Sequence, residues 1–374
     1  MTPLKIVAEA SVPYLRGVIE QLGEVQYLPS SAFTPDAIKE ADWLIVRSIT
    51  KCNEALLRGS KVRLITSATI GFDHIDTAYC KRAGITWRTA PGCNAEAVAQ
   101  YFATAVALLQ RETSWTPQGK VLGIVGVGHV GSLVARNARA LGMEVLQNDP
   151  PRAELEGSEG FVSLETIAAE ADMITLHVPL ERVGKYATYH LVDEPFITAL
   201  RRQPILMNAC RGAVTDTNAL LQGVARKKVS RLMIDCWEGE PLISQDLLRA
   251  TYLATPHIAG FSAQGKANGA RRSVEQGIEF FGLKPLDRTL MTPPPLEHSL
   301  LSLQGEEDPL TEALLSIFDI RGVDATLRKS EKGFETLRKE YIYPYEPSQY
   351  QLLANELGNR VETAKAIGFE VIER

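Results

Sequence analysis

The sequence lacks the marks of several protein classes. It has no apolar run near the ~18 residues that a membrane span requires, and its five cysteines, Cys52, Cys80, Cys93, Cys210 and Cys236, include no C-x-x-C pair. Scattered thiols of this kind read as buried or free groups in a reducing compartment, not as a disulfide framework. There is no internal repeat and no low-complexity segment. The chain runs directly into a strand pattern at Leu4 with no charged-then-apolar leader, so a cytoplasmic protein is expected. Positive charge is in slight deficit, with 40 Lys and Arg against 45 Asp and Glu. That balance argues against a general nucleic-acid or membrane surface and leaves room only for local basic pockets. No metal is expected.

What is present is an ordinary globular composition, 45% hydrophobic and 23% charged over 374 residues. That length exceeds one ordinary domain and predicts two or three. Short apolar runs alternate with helical patterns. The first set is Leu4–Ala8, Val25–Leu28, Trp43–Val46, Leu64–Ser67 and Ile85–Trp87, with a helix expected around Pro13–Leu22. A long apolar helix, Ala95–Gln110, leads to the second set: Val121–Val125, Met143–Leu146, Met173–Val178, Ile205–Asn208, Arg231–Asp235 and Tyr252–Thr255. Such alternation predicts parallel sheets covered on both faces, with ligands outside the C-terminal strand ends. A helix over Ser262–Phe281 can return to the first set. After Pro285 the pattern changes. A stiff Thr292-Pro293-Pro294-Pro295 leads to an acidic turn, a strand at Ile317–Ile320, a helix from Asp324, a helix over Leu352–Ile367 and a strand at Phe369–Ile372. The expected organisation is therefore α/β, with two doubly wound parallel-sheet domains (Rossmann-type and flavodoxin-like) and a small α+β C-terminal domain. The boundaries are 1–97 completed by 262–285, then 98–261, then 286–374.

The stretch Val121–Asp149 organises the rest. A buried-strand pattern runs straight into Gly126-Val127-Gly128-His129-Val130-Gly131, a helix and a second strand ending near Asp149. G-x-G-x-x-G alone is weak, but strand, glycine turn, helix, strand and acid in this order indicate a dinucleotide site. Gly126 permits the tight turn, Gly128 lets backbone approach a pyrophosphate, and Gly131 lets the helix pack on its strand. Asp149 stands near the separation of roughly 20 residues expected of the acid that binds ribose hydroxyls. A carboxylate there repels a 2′-phosphate, so NAD is expected over NADP.

Three later strand ends each carry one chemically apt residue: Arg211 after the Ile205 run, Glu240 after the Arg231 run, and His257 after the last. Oxidation of a 2-hydroxy acid needs a base for the hydroxyl proton, which suits His257. It needs a carboxylate to orient and charge-stabilise that imidazole, which suits Glu240. It also needs a planar cation to grip the substrate carboxylate, which suits Arg211. Each residue alone has an ordinary structural explanation; their succession on strand ends after a dinucleotide turn does not.

With GIVGVGHVG at 123–131, LHVPL at 176–180, MNACRGAVTDTNAL at 207–220, DCWEGEPL at 235–242 and TPHIAG at 255–260 in order, residues 1–285 resemble the D-isomer-specific 2-hydroxyacid dehydrogenase family. The resemblance implies Arg211, Glu240 and His257 as catalytic. It implies NAD contacts from Gly126, Gly128, His129, Val130, Gly131, Asp149, Ala209, Asp235 and Gly260, and substrate contacts from Ser48, Thr69 and Phe261. Finer stretches, among them VRSITKCNEALL, TSATIGFDHID, HIAGFSAQGKANGARR and GFETLRKEY, resemble a branch that acts on a small phosphorylated 2-hydroxy acid and forms a homodimer through its C-terminal domain. Two departures stand out: Phe261 where the branch has Tyr, and Pro344-Tyr345-Glu346-Pro347 in place of an Arg-rich stretch. Arg47 and Lys51 are candidates for receiving a phosphate, although exposed charges of this kind are more often simply solvated. The catalytic motifs alone leave open a phosphoglycerate, glycerate or lactate substrate. An NAD-sensing interaction protein is a further alternative, but one that would not need a positioned base.

Overall fold

The computed structural model describes residues 3–329 and 333–373. The chain divides into two compact units, Met1–Asn94 with Ser262–Pro295, and Ala95–Phe261 with Leu296–Arg374.

The first unit is a five-stranded parallel sheet of β1 (Lys5–Glu9), β2 (Glu24–Leu28), β3 (Trp43–Val46), β4 (Leu64–Ser67) and β5 (Thr86–Arg88). Its order, β2-β1-β3-β4-β5, is that of flavodoxin-like sheets. The central strands are buried on both faces, as parallel sheets require. The returning helix Ala263–Phe281 packs on one face. It is capped by Ser262, whose hydroxyl accepts the Gly265 N–H, and it stops at left-handed Gly282. Ala270 and Val274 of this helix join Ile6, Trp43, Ile45 and Leu64 in one apolar cluster. The helix expected at Pro13–Leu22 reduces to turns and a short 3-10 stretch, Ile19–Gln21. Tyr14 and Gly17 both take positive φ there, which no helix admits.

The second unit holds a six-stranded parallel sheet: β6 (Val121–Val125), β7 (Glu144–Asn148), β8 (Met173–Leu176), β9 (Ile205–Asn208), β10 (Arg231–Ile234) and β11 (Leu253–Ala254). The order β11-β10-β9-β8-β6-β7 places β7 and β8 on opposite sides of β6. That reversal is the switch point at which such sheets bind ligands, and the glycine turn follows β6 there. Beyond β7 the Val162 N–H donates to Gln147 O at 2.7 Å, so the chain runs along the free edge where the Rossmann order has a further strand. The long helix Ala95–Glu112 is buried along most of its length.

The segment from Leu296 onward is built into this second unit. Leu310, Ala313, Leu314, Ile317 and Phe318 share one core with Phe102, Val106 and Leu109 of the long helix and Ile124 of β6. Two expectations for this segment are corrected. Ile317–Ile320 is not a strand: it is the junction between helices Pro309–Ile317 and Ile320–Lys329. A short, mostly apolar run such as Ile317-Phe318-Asp319-Ile320 fits either state, and here its apolar residues flank a helix break. Leu352–Ile367 is not one helix. It opens as β12 (Gln351–Leu353), which pairs with β13 (Glu370–Ile372), and Gly358 at φ 55° separates Ala354–Leu357 from the later helix Val361–Ile367.

Candidate active site

The glycine turn has the form its sequence predicts. Gly126 has φ 88°, and a Cβ on it would lie 2.6 Å from the His177 carbonyl oxygen. A Cβ on Gly131 would meet Gly126 O at 2.1 Å. Gly128 differs: its Cβ position faces open space. Gly128 also begins the helix His129–Ala140 with no side chain capping its first N–H groups. Gly128 and His129 are exposed and Val130 partly so. An open cradle at an uncapped helix N-terminus fits a pyrophosphate. Asp149 closes the turn from the far strand. Its Oδ2 accepts the Val127 N–H at 2.8 Å, and its Oδ1 accepts the Arg152 N–H at 3.2 Å as the cap of helix Pro150–Glu156. The acid thus sits beside the turn, as a ribose ligand must.

The catalytic candidates converge at the ends of β9, β10 and β11. His257 Nδ1 lies 2.7 Å from Glu240 Oε2, and Glu240 Oε1 accepts the Trp237 N–H at 2.6 Å. Burial pushes the Glu240 carboxyl up, but the hydrogen bond and charge of His257, the Trp237 N–H and the charge of Arg338 outweigh it and hold the carboxyl below its usual range. An ionised carboxylate only accepts, so Nδ1 carries a proton toward it, which in the neutral ring leaves the lone pair on Nε2. His257 has φ 56°, a left-handed conformation rare for a non-glycine residue. Asp235 helps hold that backbone. Its carboxylate accepts the N–H groups of Ile258 and Ala259 at 2.8 and 3.0 Å and the Thr255 hydroxyl at 2.6 Å. Burial raises Asp235 above the ordinary carboxyl range, against the pull of His257 and these hydrogen bonds. At 1% exposure, Asp235 is a scaffold of the loop leading to Gly260.

Arg211 joins the same group through its loop. Asn208 Nδ2 donates to Arg211 O at 3.0 Å, and Gly212 packs so tightly that a Cβ would lie 2.0 Å from the Trp237 carbonyl carbon. The Arg211 and Glu240 loops are therefore pressed together, with Ala209 partly exposed beside them. Cys236 offers its sulfur within 4.8 Å of ligand atoms of Glu240 and His257. Burial, with Asp235 and Glu240 close by, pushes its thiol well above the ordinary range. It is a protonated packing group and a poor ligand.

Ser48 and Thr69 lie on the first unit, after the paired strands β3 and β4. Ser48 is exposed. Its loop is shaped by buried Glu9, which accepts the Arg47 N–H at 2.9 Å and the Thr50 hydroxyl at 2.7 Å. Thr69 Oγ1 is 2.8 Å from Ser67 Oγ, which is in turn 3.1 Å from His74 Nε2. Phe261 has the Tyr341 ring at 6.5 Å and the Arg338 guanidinium at 5.6 Å. Three contributors escaped the sequence reading: Trp237, Thr255 and Arg338, whose Nε donates to His257 O at 3.2 Å. Arg338 sits inside a recognised stretch, but nothing local links it to a residue 81 positions away.

Residues 94–259 match the NAD-binding domain of the D-isomer specific 2-hydroxyacid dehydrogenases. The chain is 50% identical over 367 residues to an erythronate-4-phosphate dehydrogenase of Porphyromonas gingivalis, covering 97% of this chain and 98% of the relative. The chain belongs to the erythronate-4-phosphate dehydrogenase family. It is an NAD-dependent 2-hydroxyacid dehydrogenase. A relative of the same name from Proteus mirabilis is 40% identical, covering 99% of this chain and all of that protein. Among solved structures, an NAD-bound 3-phosphoglycerate dehydrogenase of Entamoeba histolytica superposes with TM-score 0.65 at 25% identity, covering 75% of this chain and 96% of its own. A D-lactate dehydrogenase of Aquifex aeolicus, complexed with NAD and lactic acid, gives TM-score 0.61 at 25% identity, over 74% and 95%.

Proposed function

We propose that the protein oxidises 4-phospho-D-erythronate to 2-oxo-3-hydroxy-4-phosphobutanoate with NAD, as a step towards pyridoxal 5′-phosphate. The observation that carries the chemistry is the His257–Glu240 pair at 2.7 Å on the same sheet end as the open glycine turn. The near-full-length likeness to proteins named for erythronate 4-phosphate supports the substrate.

Gly126, Gly128, His129, Val130 and Gly131 would hold the pyrophosphate, and Asp149 the ribose. Ala209, Asp235 and Gly260 would border the nicotinamide end. When bound, NAD accepts the hydride from the hydroxyl-bearing carbon. His257 takes the hydroxyl proton at Nε2, because Nδ1 is committed to Glu240. Glu240, ionised, stabilises the imidazolium that results. Arg211 presents a planar fork to the substrate carboxylate and polarises the developing carbonyl. Ser48, Thr69 and Phe261 are assigned to the substrate. In this reading residues 1–97 with 262–285 form the substrate-binding domain, 98–261 the NAD-binding domain and 286–374 the dimerisation domain of a cytoplasmic homodimer.

A panel of 2-hydroxy acids assayed with NAD tests the substrate. The highest kcat/KM is expected for 4-phospho-D-erythronate; a higher value for 3-phosphoglycerate, glycerate or lactate overturns the assignment. Sedimentation equilibrium of the whole protein tests the dimer.

A further inference from the structure

The segment Gly333–Tyr341 does more than cover the second unit. Its helix, Phe334–Glu340, starts at Gly333, φ 75°. Phe334 is buried, and Leu337, one turn on, packs against the same apolar cluster as Trp237 and Ile234. Tyr341, a further turn on, packs on the other cluster of the unit, the one that includes Phe261. This stripe at helical spacing seats the helix and carries Arg338 to a defined place.

Arg338 is half-buried there. Its Nε donates to the carbonyl of His257 at 3.2 Å, its guanidinium lies 5.6 Å from the centre of the Phe261 ring, and its charge reaches Glu240. Among the described residues, no hydrogen bond or ion pair engages its two terminal nitrogens. Partly desolvating a guanidinium without pairing its fork is costly, and an anionic ligand on the fork offsets that cost. The substrate reading above calls for one. A phosphorylated 2-hydroxy acid has two anionic ends, and Arg211 serves the carboxylate. The phosphate needs a second planar, bidentate donor close to the base, which is what an Arg beside His257 and Phe261 offers.

We propose that Arg338 is a substrate-binding residue that receives the phosphate of the hydroxy acid on its terminal nitrogens while its Nε holds the His257 backbone. The C-terminal segment thereby supplies specificity to the catalytic unit and couples phosphate binding to the placement of the base. This rests on the phosphorylated-substrate reading above.

The test compares 4-phospho-D-erythronate with unphosphorylated D-erythronate in the parent protein, Arg338→Met and Arg338→Lys. NAD affinity, followed by fluorescence titration, reports that each variant is folded. For Arg338→Met, KM for the phosphorylated acid rises roughly 10- to 100-fold, the loss of a charge-assisted contact, while KM for D-erythronate rises far less, and loss of the hold on His257 lowers kcat for both acids alike. Arg338→Lys recovers part of the loss. Inorganic phosphate is expected to inhibit the parent competitively against D-erythronate and to lose that inhibition in Arg338→Met. Equal falls in kcat for both acids with KM unchanged would show a purely structural hold on His257 and overturn the proposal, as would unchanged kinetics. A parent protein with no preference for the phosphorylated acid overturns the substrate reading itself.

Discussion

Asp324 accepts the backbone N–H of Ala254 at 2.7 Å, joining the C-terminal segment to β11 across 70 residues. Ala254 stands three residues before His257, so this bond fixes the strand that leads to it. β11 is an edge strand, and an edge needs cover. Arg328 flanks Asp324, donating to its Oδ1 at 2.9 Å and to the carbonyls of Leu248 and Thr251 at 2.7 Å each. Arg321 donates to Tyr252 O at 3.1 Å and to Asp324 Oδ2 at 3.2 Å. Helix Ile320–Lys329 thus seals the sheet edge with charge-assisted bonds around a buried carboxylate.

Asp324→Ala is expected to destabilise the protein by about 2–3 kcal/mol, below the full cost of breaking a buried pair because both Arg side chains keep some solvent. Urea unfolding of the second unit measures it. A midpoint equal to the parent's would show that the clamp contributes nothing.

Gly128 and Gly131 separate ligand from packing. Gly128→Ala has room for its methyl and should leave thermal stability within about 1 kcal/mol, while raising KM for NAD roughly tenfold or more. Gly131→Ala drives a Cβ toward Gly126 O and should cost about 1–3 kcal/mol of stability. Melting curves and NAD titrations on the two variants distinguish these effects. Unchanged NAD affinity in Gly128→Ala would remove the turn from the pyrophosphate site.

Asp149→Ser keeps a helix-capping oxygen and discards the charge. The ratio of kcat/KM with NAD to that with NADP should fall roughly tenfold or more, since the repulsion of a 2′-phosphate is lost. Arg152, already beside the turn, would then face the added phosphate. If the ratio does not move, something other than Asp149 selects the cofactor.

Glu240 and His257 predict both activity and pH dependence. Glu240→Gln should lower kcat roughly 10²-fold or more by removing the partner of the imidazolium, and His257→Ala should abolish turnover while NAD still binds. The carboxyl of Glu240 titrates lower in the folded protein than in the unfolded chain. The native state therefore binds fewer protons through the carboxylate range. The stabilisation is complete above the unfolded value of about 4.3 and is lost as pH falls through the folded value. Glu240→Gln should accordingly show a flatter acid limb in Tm against pH. An acid limb parallel to the parent's would show that the pair contributes no linked stability.

Much of this site could be read before any fold was known, because its parts are local. The glycine turn, the strands around it and the order of Arg211, Glu240 and His257 are set by backbone sterics and hydrophobic runs within short windows. The same windows misjudge Ile317–Ile320, Leu352–Ile367 and Pro13–Leu22, where a short apolar run or a positive φ is decided by neighbours distant in sequence.

The sequence by itself determined a glycine turn of dinucleotide-binding form, placed an acid, Asp149, where a ribose ligand is expected, and supplied the chemical types needed for hydroxy-acid oxidation. Only the tertiary structure decided that Glu240 meets Nδ1 of His257, that Asp235 holds the loop after β11, and that Asp324 and Arg338 reach back from the C-terminal segment to the strand before His257 and to its carbonyl. These contacts join residues tens of positions apart. They exist because burial of Phe334, Leu314 and Phe318 docks that segment on the sheet, and such an outcome belongs to the packed core and not to any stretch of chain.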